Sequence, residues 1–344
     1  MKIKKILQHL KSPSYIARNK AMFHTAVTWR KSEGSMPLHP IYKEMIQVTK
    51  EANNLPVRRQ TLTELRKVPQ LIKPLAGEAP PTARIMNHMI ESKDRHLILR
   101  LYYPREGEKL PILLYFHPGF FIRGDVDSHD TICRQLAIAS DCIVASVNYS
   151  LSPEHRFPAP LEDGHAALMW MARNPQEINA DGRLAIGGEN AGGNLAAALT
   201  HRLRDEREIE LDFQVLIYPQ VDLTLSMPSV EKYGYDYLLE KEALDWYISK
   251  YLPPEISRKD PRVSPLFEPS FDGLPKALVI TAEFDPLKDE GEAYAKKLKE
   301  ASIPTIHLCY PGMAHGFFQM GGVIDEGKNA LEFVGKTLKE AFAS

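Results

Sequence analysis

From residue 84 onward, short apolar runs alternate with stretches whose apolar residues recur at helical spacing. Residues 84–90 and 96–103 predict two strands, separated by the turn-like Glu91-Ser92-Lys93-Asp94. Further strands are expected at 112–116, 143–147, 184–186, 213–218, 277–281 and 305–310. Helical patterns lie between them, as at 161–173 and 288–301. This alternation predicts an α/β fold with a mainly parallel central sheet and helices on both faces.

The pattern before residue 84 is different. Ile3, Ile6, Leu7 and Leu10 recur at helical spacing with Lys2, Lys4, Lys5 and Lys11 in the gaps. More helical pattern runs through Trp29 and again over 40–53. One short basic helix binds membranes weakly, so a helix lying over the protein's own apolar pocket is the preferred reading of the first segment. Prolines 69, 74, 80 and 81 with Gly77 are dense enough to break regular structure across 68–82. They mark a boundary between a helical segment, 1–80, and a core, 81–344. A Tyr- and Leu-rich insertion at about 220–254 interrupts the alternation and is expected to form part of a lid.

The stretch 183–195, R-L-A-I-G-G-E-N-A-G-G-N-L, reads as strand, tight turn and helix. Its glycines suit a turn in which neighbouring backbone leaves no room for a Cβ. A phosphate-cradling reading fails: no G-x-x-x-x-G-K-[ST] is present, and Glu189 sits where G-x-G-x-x-G needs its second glycine. The frame that fits is the nucleophile elbow, G-x-S-x-G, as Gly188-Glu189-Asn190-Ala191-Gly192. An amide stands where the attacking hydroxyl belongs.

Composition narrows the partners. A net charge of −1 gives no reason to expect nucleic acid. No apolar run is long enough to span a membrane. Cys133, Cys142 and Cys309 lack C-x-x-C spacing and read as reduced thiols of a cytoplasmic protein. The sequon Asn148-Tyr149-Ser150 is read as a chance match.

In a parallel sheet the functional residues collect in loops at the carboxyl ends of the strands. Those loops hold His117-Pro118-Gly119-Phe120-Phe121, then Asn190, then Asp285-Pro286-Leu287-Lys288-Asp289, then His315-Gly316-Phe317. The order elbow, Asp, His is that of nucleophile, acid and base in α/β-hydrolases. Over most of residues 80–320 the chain resembles the hormone-sensitive lipase family of that fold. Its H-G-G-G-F loop looks like 117–121, and its Y-R-L-A-P-E segment is similar to Tyr149-Ser150-Leu151-Ser152-Pro153-Glu154. The family's G-[DE]-S-A-G-G-N elbow matches 188–194 except at the nucleophile, and its D-P-L-[RK]-D-E-G and H-G-F segments match 285–291 and 315–317.

The resemblance implies His315 as general base and Asp285 as the carboxylate that fixes its tautomer. It implies backbone N–H groups of Gly119, Phe120 and Ala191 as an oxyanion hole, and His117, Phe121, Tyr149 and Phe317 around a substrate pocket. Carboxylesterase or lipase activity without metal or organic cofactor would follow, under a cap formed by the N-terminal helices and the insertion. Two departures change that expectation. Asn190 has no hydroxyl, and loss of such a serine costs about 10⁶ in turnover. Pro118 and Phe120 replace loop glycines, and Phe120 is expected to resist a positive φ. The leading reading is an esterase-like scaffold, weak or inactive, that binds a small ester-like or apolar carbonyl ligand. An active serine esterase seen as an Asn190 variant and a His–Asp lyase or isomerase are the alternatives; a homodimer stays open.

Overall fold

The computed structural model describes residues 36–51, 56–93 and 95–343. The helical patterns read over residues 3–29 lie outside them. Strands β1 (Arg84–Ser92), β2 (Arg95–Tyr103), β3 (Leu110–Phe116), β4 (Ile143–Val147), β5 (Ala180–Glu189), β6 (Phe213–Ile217), β7 (Lys276–Phe284) and β8 (Thr305–Ala314) form one sheet. Their order is β1-β2-β4-β3-β5-β6-β7-β8. β1 and β2 pair antiparallel and β2 meets β4 antiparallel; every pairing beyond that is parallel. The α/β expectation is therefore met.

Strand periodicity divides the apolar residues between two cores. Ile112, Leu114 and Phe116 of β3 face one cluster together with Leu195 and Leu199. Leu113 and Tyr115 face the other with Ile132, Leu136, Val334 and Leu338. Helices α3 (Asp130–Ser140) and α9 (Asp325–Ala343) cover that second face, while α4 (Ala159–Arg173), α5 (Ala191–Glu206) and α8 (Lys288–Glu300) cover the first. β3 is buried along its whole length, as a central strand covered on both faces must be.

Helices α1 (Pro40–Glu51) and α2 (Leu62–Ile72) precede the sheet, and α6 (Pro228–Tyr233) and α7 (Lys241–Tyr251) occupy the insertion. The proline-rich stretch corrects one expectation. α2 runs through Pro69, and a 3₁₀ turn continues over Lys73–Ala76, so 68–76 is helical. A Thr61–Glu64 capping box starts α2, and Leu65 and Pro69 are buried on its inner face. That cap and packing outweigh the single backbone donor the proline lacks. Among the described residues no helix is long and apolar enough to cross a membrane.

Candidate active site

The strand–turn–helix at the centre of the sheet is built by close approach. A Cβ on Gly188 would lie 2.5 Å from the carbonyl carbon of Gly192, and one on Gly192 would lie 2.1 Å from the Phe116 carbonyl oxygen. The chain can turn there only because both positions lack a side chain. Between them Asn190 takes φ 52 and ψ −114, a strained conformation for a residue with a Cβ. Its backbone is held on two sides: its N–H donates to the Ile217 carbonyl at 3.0 Å, and its carbonyl accepts from Asn194 and Gln220.

The Asn190 side chain is fully buried. Its Oδ1 accepts the Phe120 N–H at 3.3 Å. Its Nδ2 has no hydrogen-bond partner among the described residues. Asp285, after β7, accepts from His315 Nδ1 with Oδ2 at 2.8 Å and from the Leu287 N–H with Oδ1 at 2.9 Å. The proton of His315 is thereby placed on Nδ1, and its Nε2 is left as the basic atom. The His315 ring lies 5.9 Å from Phe120 and 4.7 Å from Tyr218. Asn190, His315, Gly119 and Phe120 line one cavity of about 760 Å³.

The loop after β3 does not behave as expected. Phe120 and Phe121 take φ 57 and 64, so a phenylalanine does adopt the left-handed conformation. Phe120 stacks on Tyr247 with ring centroids 4.6 Å apart, and Phe121 stacks on Tyr251 at 3.7 Å. Such stacks contribute about 0.5–1.5 kcal/mol each, comparable with the roughly 1–3 kcal/mol cost of each strained residue. Gly119, at φ 136, allows the Ile122 and Arg123 N–H groups to reach its carbonyl, both at 3.1 Å. From outside, Arg66 donates to the Ile122 carbonyl at 3.0 Å and pairs with Glu154.

Four residues expected around the pocket stand behind its wall. Tyr149 stacks on His117 at 4.2 Å and donates to the His117 carbonyl at 2.8 Å. Phe317 is buried against Tyr218 and Tyr310, and Phe121 lies under Tyr251. Burial pushes His117 down to about 4 and neighbouring His129 to about 3, so both are neutral near pH 7. Ala191 opens α5 and is fully buried.

Sequence reasoning missed Tyr247 and Tyr251, whose i, i+4 spacing in 241–251 was the available signal. It also passed over the role of Glu189. This carboxyl is completely buried under the elbow and accepts from the Tyr115 hydroxyl, the Tyr218 hydroxyl at 2.5 Å and Gln319 Nε2 at 2.9 Å. Burial pushes it above the usual carboxylate range. No sequence pattern announces that set, because its members come from four separate segments.

A sequence profile of the alpha/beta hydrolase fold matches residues 113–319. The chain is 34% identical over 316 residues to the ethyl acetate hydrolase of Pseudomonas putida, spanning 89% of this chain and 99% of that protein. It is 32% identical over 309 residues to the arylesterase of Saccharolobus solfataricus, spanning 89% and 100%. Among solved structures, the hyperthermophilic esterase from the archaeon Pyrobaculum calidifontis is similar with a TM-score of 0.84 at 36% identity, covering 90% of this chain and 100% of that one.

Proposed function

Because the chain belongs to the carboxylesterase family of the alpha/beta hydrolase fold, we propose that it binds a small apolar carbonyl compound in the esterase cavity and hydrolyses esters weakly or not at all. One observation carries the reading: the side chain on the elbow is an amide whose own oxygen takes the Phe120 N–H at 3.3 Å. That side chain offers no nucleophile, and one donor that would stabilise an oxyanion is engaged from within. The motifs over 117–121, 188–194, 285–291 and 315–317 support a place in the hormone-sensitive lipase branch. Residues of both helical additions line the cavity, Leu65 and Ile72 on one side and Leu239 and Tyr247 on the other, which supports their reading as a cap.

Turnover of nitrophenyl acetate and butyrate tests this directly. The protein is expected to match the buffer rate while short acyl esters raise its melting temperature by binding the native state. Hydrolysis at an ordinary esterase rate would sink the proposal. A second reading, proton transfer by a lyase or isomerase, is favoured by the retained His315–Asp285 pair at 2.8 Å. It calls for deuterium exchange at the α-carbon of a bound ketone in D₂O, lost in His315→Gln.

A further inference from the structure

Arg123 lines the cavity that contains Asn190 and His315. Its Cζ lies 5.5 Å from the ring centroid of Phe120 and 5.5 Å from that of Tyr247, the two rings that stack on one another. A guanidinium held this way has already lost rotamer freedom. Yet none of its five N–H donors meets an acceptor among the described residues, and it has no carboxylate partner there. Arg66, on the far side of the same loop, shows the contrast: it donates to both oxygens of Glu154 at 2.9 and 2.6 Å and to the carbonyls of Ile122 and Ser152. The other charged groups on the cavity are Glu64 and Lys67, both exposed on α2. Glu64 makes no ion pair with Arg123; its Oε2 accepts the Thr61 N–H and hydroxyl, each at 2.8 Å.

We infer that the ligand carries a carboxylate, which Arg123 binds through two parallel N–H···O bonds, and an apolar chain that leads from it to the carbonyl beside Asn190. The remaining cavity wall, with Leu65, Val68, Ile72, Leu239 and Met320, suits that chain. Arginine is the cation whose fork matches a carboxylate, and stacking on Phe120 and Tyr247 fixes the direction of the fork. Half-esters of dicarboxylic acids are the simplest molecules with these three parts. Arg123 is thus a specificity-determining residue, and this inference rests on the reading of the cavity as a carbonyl-ligand site.

The test compares two ester series by titration calorimetry on the intact protein: the monoethyl and the diethyl esters of succinate, glutarate and adipate. At least one monoethyl ester is expected to bind on the order of tenfold more tightly than its diethyl partner, the size of a charge-assisted pair partly open to solvent. Arg123→Met should erase that preference, and its circular dichroism spectrum and melting temperature report separately that the variant is folded. Arg123→Lys, which keeps the charge but loses the fork, should retain only part of it. Diesters that bind as tightly as half-esters, or a preference that survives Arg123→Met, would overturn the inference and leave the cavity reading intact. If no member of either series binds, the cavity reading itself falls and takes the inference with it.

Discussion

Asn190 Oδ1 accepts the Phe120 N–H, so a donor that a serine would leave to a substrate oxygen is engaged by the protein's own amide. Asn190→Ser releases that donor and supplies a hydroxyl above which His315, fixed by Asp285, can act as base. The variant is expected to gain measurable but modest hydrolysis of nitrophenyl acetate and to take a label from a serine-reactive phosphonate. Adding Phe120→Gly should not raise kcat further, since Phe120 already has the left-handed backbone a glycine would adopt. It should instead cost on the order of 3 kcal/mol through loss of the ring stacked on Tyr247. Absence of the phosphonate label would mean that His315 is not poised over position 190. The wild-type amide makes a second prediction. A water deprotonated by His315 would attack the Asn190 amide carbon, releasing ammonia and leaving aspartate. Peptide mass spectrometry after storage at pH 8 in H₂¹⁸O should show one ¹⁸O at position 190, without isoaspartate and absent in Asp285→Asn. An Asn190 unchanged while other asparagines convert would argue that no activated water forms there.

The elements around the elbow owe their positions to contacts between backbones. Gly192→Ala would place a methyl group 2.1 Å from the Phe116 carbonyl oxygen, between a central strand and the first turn of α5. Neither partner can yield, and the expected loss is at least about 3 kcal/mol, seen as a lower urea midpoint at unchanged m-value. A variant as stable as the parent would show that the turn is looser than its geometry. Such turns were legible in the sequence because glycine leaves a direct mark, and the strands were legible because their apolar runs are continuous. The helix through Pro69 was not, since a proline's missing donor is visible in sequence while its burial beside Leu65 is not. The positive φ of Phe120 was hidden for the same reason: Tyr247, which stabilises it, lies 127 positions further along the chain (247 − 120). The dyad could be placed in advance because each member follows its own strand, whereas the Glu189 set depends on side-chain directions that no periodicity encodes.

At the scale of the whole molecule, buried histidines make stability depend on acid: His39, His117, His129 and His201 are all buried. Burial lowers His39 and His117 to about 4, and His129 and His201 to about 3, from 6.5. A depressed folded pKa means that the unfolded chain takes up these protons first as pH falls. The stability they contribute is therefore fully present above about pH 6.5 and is lost progressively down to pH 4–3. Each such histidine adds up to about 1.4 kcal/mol per pH unit within that window. Glu189 and Glu290 act in the opposite sense. Burial raises both, so their stabilising protonation is complete below about 4.5 and is lost as pH rises. Burial also lowers His307 and raises Glu268 and Glu326, so five histidines stand against four carboxyls, and stability should fall from pH 6.5 to 4.5 by on the order of 1 kcal/mol per unit. Urea unfolding at pH 7, 6 and 5 measures it. His201→Gln is the cleanest probe, because it lies away from the cavity and a glutamine can keep the hydrogen bond to the Tyr294 hydroxyl, 3.0 Å from the imidazole. That variant should flatten the decline by about one proton's worth, on top of a pH-independent loss from the ring contacts with Phe271 and Tyr294. A wild-type stability that is level from pH 7 to 5, or a His201→Gln slope equal to the parent's, would show that these imidazoles take up protons without unfolding the core.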